Sequence, residues 1–171
     1  MDRSETSWYH EAVDWAFVND ITKGTTETTF SPDQGCTRAQ AVTFLWRAKG
    51  QPEPTTTENP FTDVAADAYY AKAVLWAVET GVTKGTSETT FSPDDTCTRA
   101  QIVTFLWRAE GEPEAAAETS FTDVPADSWF AGAVAWAVEN DVTKGTSETT
   151  FAPNDTCTRA QIVTFLWRDL A

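Results

Sequence analysis

The chain repeats one long sentence three times. Lys23-Gly24-Thr25 runs on to Phe30-Ser31-Pro32, then Cys36-Thr37-Arg38-Ala39-Gln40, then Phe44-Leu45-Trp46-Arg47. The string returns from Lys84 to Pro93, Cys97 to Gln101 and Phe105 to Arg108, and again from Lys144 to Pro153, Cys157 to Gln161 and Phe165 to Arg168. The steps are 61 and 60 residues. A period this long makes each unit a supersecondary motif that buries its apolar face against its neighbours. At 171 residues the chain is the size of one domain, and a lone 60-residue unit is marginal by itself. One cooperative domain of three interlocked units is therefore expected.

The charge follows the same period. The formal net charge is −14, yet nine of the twelve basic residues fall at three repeat positions. These are Lys23/Lys84/Lys144, Arg38/Arg99/Arg159 and Arg47/Arg108/Arg168. Cations placed so regularly on an acidic chain are candidates for three equivalent anion sites. The acidity itself argues against nucleic acid and against an anionic membrane surface, and no apolar run is long enough to span a bilayer. Eight tryptophans and ten phenylalanines exceed what a disordered acidic chain carries.

The complete third unit shows the local structure. Phe121-Thr122-Asp123-Val124-Pro125 reads as extended, because a residue before proline is pushed out of helical space. From Trp129 to Glu139 the apolar residues recur at helical spacing, with Asp127 or Ser128 as N-cap and Asn140-Asp141 as terminator; Gly81 ends the same helix in the second unit. The Thr- and Gly-rich stretch 142–154 reads as an ordered loop with a short strand near 149–151. Thr158-Arg159-Ala160-Gln161 opens a second helix with a capping box, repeated at Thr37/Gln40 and Thr98/Gln101. That helix is apolar on two sides, which places it at the centre and the Trp129-type helix outside. The expected fold is thus mainly α: three tandem helix–loop–helix repeats (1–48, 61–109 and 121–171) in a pseudo-threefold single domain with a central helical bundle. The linkers 49–60 and 110–120, rich in Pro, Glu, Thr and Ala, read as exposed and poorly packed. The first unit is shorter at its front: Asp2 aligns with Asp123, and the matching Phe falls before Met1.

Cys36, Cys97 and Cys157 occupy one repeat position. An odd count at that spacing is not a disulfide framework, and with His10 the only histidine no metal set accompanies them. They read as small buried hydrophobes that approach one another near the pseudo-threefold axis, with one disulfide plus a free thiol as the alternative. No Ser-His-Asp or Cys-His set exists for catalysis, and no cofactor motif is present. A non-catalytic binding role is the expectation.

Phe-Thr-Asp-Val, an aromatic about eight residues after that Phe, the Lys-Gly turn, Thr-Phe-Ser-Pro and Thr-Arg-Ala-Gln, in order and in triplicate, resemble the S-layer homology (SLH) domain. The resemblance covers essentially the whole chain. It implies a pseudo-threefold helical domain whose inter-lobe grooves bind secondary cell-wall polysaccharide, often carrying ketal-linked pyruvate, and so tether a secreted protein to the bacterial cell surface. The family's Thr-Arg-Ala-Glu arginine matches Arg38, Arg99 and Arg159. Gln40, Gln101 and Gln161 depart from it, keeping the capping box but removing a carboxylate.

A pyruvate ketal presents a fixed carboxylate, which suits the planar guanidinium. Arg159 at a helix N-terminus would add the positive end of the helix dipole, and Lys144 (Lys84, Lys23) a second cation. Trp129, Tyr69 and Trp8 are the candidate sugar platforms, and Asp63 and Asp123 complete the candidate set. Against this stands a structural role, in which the arginine pairs with an acidic neighbour such as Asp123. Arg47, Arg108 and Arg168 suit a helix C-terminus by charge alone, and Trp15/Trp76/Trp136 and Trp46/Trp107/Trp167 suit the core. The −14 charge repels an anionic glycan at long range, but the Debye length is only about 8 Å in physiological salt, and two or three engaged grooves raise apparent affinity by about 10²–10⁴. A monomer is expected. The competing reading is a protein–protein module for surface-layer assembly, with other surface proteins as partners. The shortened first unit suggests that its groove, or the one it completes, is the weakest.

Overall fold

The computed structural model describes residues 5–171, so Asp2 lies outside the described residues. Among the described residues six helices follow one another: α1 (His10–Val18), α2 (Arg38–Ala48), α3 (Ala71–Glu79), α4 (Arg99–Ala109), α5 (Ala131–Glu139) and α6 (Arg159–Leu170). The second helices of the repeats, α2, α4 and α6, pack on one another and form the centre. Each outer helix packs not on its own repeat's central helix but on the preceding one: α3 on α2, α5 on α4, and α1 on α6. The third lobe is therefore built from the first and last helices, and the three repeats close into a ring.

Closure occurs at the N-terminal ends of the central helices. Cys36 N–H donates to Cys157 O (2.8 Å), Cys97 N–H to Cys36 O (2.9 Å) and Cys157 N–H to Cys97 O (2.8 Å), a cycle of backbone bonds around the axis. All three thiols are free and buried. Burial, foremost among the causes, pushes the Cys97 thiol up to about 12, so these sulfurs stay protonated and act as small core side chains. The axis leaves little room. A Cβ on Gly35 would stand 3.0 Å from Thr156 Cγ2 and 3.2 Å from Thr96 Cγ2, so a glycine sits where the other repeats carry these two threonines.

All three capping boxes form. Thr37, Thr98 and Thr158 accept from the N–H of Gln40, Gln101 and Gln161, and each glutamine side chain accepts the threonine N–H in return. Phe30, Phe91 and Phe151, the largest fully buried side chains, mark the ring between lobes; burying each stabilises by about 1.5–3 kcal/mol.

Three local expectations need correction. The outer helix of unit three begins at Ala131 rather than Trp129, with Phe130 as N-cap and no side-chain cap bond. Ser128 Oγ donates instead to Pro125 O (2.7 Å), in a turn that delays the helix. No strand forms at 149–151: Thr122 N–H reaches Thr149 O (2.9 Å) while Thr146 N–H turns back to Thr150 O (2.9 Å), so one cross-chain bond is followed by a turn and not a ladder. The linkers, although largely exposed, are pinned. Trp46 Nε1 donates to Pro52 O (2.8 Å) and Trp107 Nε1 to Pro113 O (3.0 Å), and the backbone N–H groups of Thr55 and Ala116 bond the carboxylates of Glu79 and Glu139. Composition registers polarity but not these fixed partners.

Candidate functional site

The arginines of the Thr-Arg-Ala-Gln motif each reach into the next repeat. Arg38 Nε donates to Phe91 O (2.8 Å), Arg99 Nε to Phe151 O (2.9 Å) and Arg159 Nε to Phe30 O (2.8 Å). Their guanidinium carbons lie 4.9, 4.8 and 4.8 Å from the centroids of the same phenylalanine rings, within cation–π range. They are only 5%, 4% and 2% exposed. Burial lowers the guanidinium pKa of Arg38 and Arg99, offset in part by nearby groups including Asp95 and Asp155 respectively. A charge retained in so buried a place needs hydrogen bonds, and the loop carbonyl supplies one.

Asp63 and Asp123 hold the same loops from the other side. Asp63 accepts the N–H groups of Phe91 (2.9 Å) and Ser92 (2.8 Å), and Asp123 those of Phe151 (2.8 Å) and Ala152 (2.7 Å). Burial pushes the Asp63 carboxyl up, but the backbone donors and Arg38 outweigh it and hold the group below its ordinary value. Phe91 is thus clamped, its N–H by an aspartate and its C=O by an arginine. Among the described residues, neither Arg38 nor Arg99 forms an ion pair with these aspartates; the two charges share a peptide unit instead.

Beside this clamp lies the Lys-Gly turn. Thr22, Thr83 and Thr143 are buried and accept the N–H of Gly24, Gly85 and Gly145 (3.1 Å each). Gly85 and Gly145 adopt φ of +84° and +80°, and a Cβ on Gly145 would lie 2.6 Å from Thr150 O and 2.7 Å from the Phe121 ring. The turn leaves Lys23, Lys84 and Lys144 exposed at its rim.

These parts meet in a cavity of about 450 Å³ lined by Lys23, Gln34, Gln40, Arg47, Tyr69 and Arg159, together with Thr22, Gly24, Thr25, Ser31, Thr43 and Phe44. Three repeats contribute: the third through Arg159, the second through Tyr69, the first through the rest. Its lining holds three cations and no carboxylate. Tyr69, Trp8 and Trp129 are 62%, 63% and 60% exposed, each edge-on to the next aromatic at 5.0–5.2 Å, so the repeat presents them to solvent and not to the core. The arrangement can receive an anionic group between guanidinium and ammonium donors, with a ring face against its apolar side.

Arg47 is the residue that sequence reasoning left out of the site. Its Nη1 donates to Ile21 O (3.1 Å), in keeping with a structural role, while its side chain also lines the cavity. Arg108 and Arg168 make the same bond to Val82 O and Val142 O (3.3 Å each). The signal available in sequence was the strict repetition of the cation, which the simpler account by helix dipole obscured. A smaller, more apolar hollow of about 340 Å³ lies elsewhere, between α5 and the segment at Trp107, Pro113, Gly132 and Ala135; it gathers none of the site residues.

The sequence is similar to known proteins. The sequence profile of the S-layer homology domain matches residues 2–42, 60–103 and 120–163. The Surface-layer 125 kDa protein of Lysinibacillus sphaericus is 37% identical over 108 residues, 63% of this chain and 9% of that protein. An Endoglucanase of Bacillus sp. (strain KSM-635) is 32% identical over 179 residues, covering 98% of this chain and 18% of the enzyme. The Surface layer protein of Brevibacillus choshinensis is 32% identical over 123 residues, 70% of this chain and 11% of that protein. The chain thus spans less than a fifth of the length of these relatives. Three matched repeats, closed into one ring, place it in the S-layer homology domain family.

Proposed function

We propose that this domain is a non-catalytic anchor that holds a protein on the bacterial cell surface by binding an anionic secondary cell-wall polysaccharide in its inter-repeat grooves. The observation that carries the reading is the cavity lined by Lys23, Arg47 and Arg159, three of the twelve basic residues, with no acidic group in its lining on a chain of net charge −14. Local cations dominate such a groove because the distant acidic surface is screened within about 8 Å. Tyr69 supplies the ring face that a pyranose stacks on, and the hydroxyls of Thr25 and Ser31 supply neutral hydrogen bonds. Ketal pyruvate is the substituent that best fits a fixed pair of donors, being a carboxylate held rigidly on a sugar ring. The relatives support anchoring as the shared task, since surface-layer proteins and an endoglucanase carry similar segments within much longer chains.

Co-sedimentation with purified cell walls, before and after mild acid removal of ketal pyruvate, tests the reading. The domain is expected to pellet with intact walls and to remain in solution with depyruvylated ones. Equal pelleting with both would show that the carboxylate is not what is recognised. Concentration-dependent self-association without any wall binding would favour the surface-assembly reading instead.

A further inference from the structure

The repeat places equivalents of this groove in the other two lobes, and among the positions at which the units differ in charge one lies in the groove lining itself. Gln34 lines the cavity of the first unit. The repeat puts Asp95 and Asp155 at the same place in the second and third units. Each of these residues is fixed beside a motif arginine by a backbone bond: Gln34 O accepts Arg159 N–H (2.9 Å), Asp95 O accepts Arg38 N–H (2.8 Å) and Asp155 O accepts Arg99 N–H (2.9 Å). All three are solvent-exposed, so their side chains stand at the mouth and not in the core.

We infer that the groove of Lys23, Arg47, Tyr69 and Arg159 is the primary anion site of the domain, and that position 34 (95, 155) sets the rank of the three grooves by adding or omitting a carboxylate. This rests on the anion-binding reading above and reverses the ranking suggested by the shortened front of the first unit. Asp95 and Asp155 act in the opposite sense to a ligand: each is a resident anion beside the arginine, competing for its field and repelling an incoming carboxylate. Gln34 offers instead a neutral amide on a side chain one methylene longer, which can donate to a ligand oxygen and carries no charge to repel it. The motif aspartates do not create this difference, because Asp63 and Asp123 spend both oxygens on backbone N–H groups. A like charge several ångströms from a bound anion at a surface changes affinity by about five- to tenfold.

The test titrates pyruvylated wall polysaccharide into three folded proteins: wild type, Gln34→Asp, and the double variant Asp95→Gln/Asp155→Gln. NMR follows Tyr69 for the first groove, and the Trp129 and Trp8 indoles at the equivalent positions for the other two. In the wild type, Tyr69 is expected to respond at the lowest polymer concentration. Gln34→Asp should shift that response about five- to tenfold upward, and the double variant should bring the tryptophan responses down to meet it. Wild-type binding with Tyr69 responding last, or a Gln34→Asp titration that overlays the wild type, would overturn the inference while leaving the anchor reading intact. A wild type that ignores the polymer, with all three rings silent, would instead overturn the reading beneath it.

Discussion

The two ends of the central bundle obey different rules. At the N-terminal ends of α2, α4 and α6 every feature occurs in triplicate: the cysteine backbone cycle, three capping boxes and three buried arginines on three phenylalanine carbonyls. At the C-terminal ends the symmetry lapses. Lys49 pairs with Glu110, Leu170 takes the matching place in the third repeat, and Asp169 stands where Ala48 and Ala109 stand in the others. The difference teaches which repetition is structural necessity. Where the ring closes, each repeat completes its neighbour, and a change in one breaks two. At the far end the repeats diverge after the shared Trp-Arg pair, so the tryptophan and the arginine recur while the residues that follow them differ.

The sharpest way to break this comparison is to truncate an arginine at each end. Arg99→Ala removes a buried cation, leaves Phe151 O without its donor and opens the joint between two repeats; about 3 kcal/mol of stability is expected to go. Arg108→Ala, half-exposed, is expected to cost under about 1 kcal/mol. Urea unfolding of the two variants compares them directly, and equal losses would erase the distinction. Gly145→Ala strikes the loop on which Arg99 docks. A side chain at φ +80°, forced against Thr150 O and Phe121, should cost about 2 kcal/mol, read from the same unfolding curves.

Smaller effects refine it. Thr98→Ala deletes one capping box and should lower stability by about 1 kcal/mol, visible as a drop in the thermal midpoint. The asymmetric end should report through pH. Burial first, and Glu110 next, raise the Asp169 carboxyl to about 6 while Lys49 pulls it down; in an unfolded chain it titrates near about 3.9. The folded state therefore holds this proton more tightly. Its stabilising contribution is complete below about pH 4 and is lost as pH rises through about 6. Relative to Asp169→Asn, the wild type should gain stability on going from pH 7 to pH 5, by under about 1 kcal/mol because the group is partly solvated. A difference that stays flat with pH would remove Asp169 from the account.

The sequence made local devices legible and long-range ones not. Thr158 and Gln161 announce a capping box because both partners lie within four residues. The central position of α6 followed from two apolar faces, and the axial cysteines from their shared repeat position. The partner of Arg159 did not follow, because Phe30 lies 129 residues away and the third repeat must close on the first before they meet. Nor did the pairing of α1 with α6, which periodicity leaves open. Arg47 reads from sequence as a helix-end cation and not as a groove residue, because a cation at a helix C-terminus already has a sufficient local reason. The linkers misled for the converse cause: Pro and Glu mark exposure, while the indoles of Trp46 and Trp107 that pin them sit in the preceding helix.

We propose that Lys23 and the half-buried Arg47 carry most of the anion binding in the groove, while the three buried motif arginines, Arg159 at the groove among them, chiefly hold the ring together. Isothermal titration of pyruvylated wall polysaccharide into a Lys23→Gln/Arg47→Gln variant, with its thermal midpoint measured alongside, tests this most directly. The account predicts a large loss of affinity, about tenfold or more, with a midpoint within a few degrees of the wild type. Unchanged affinity in the folded variant would contradict it and return these cations to a purely structural role.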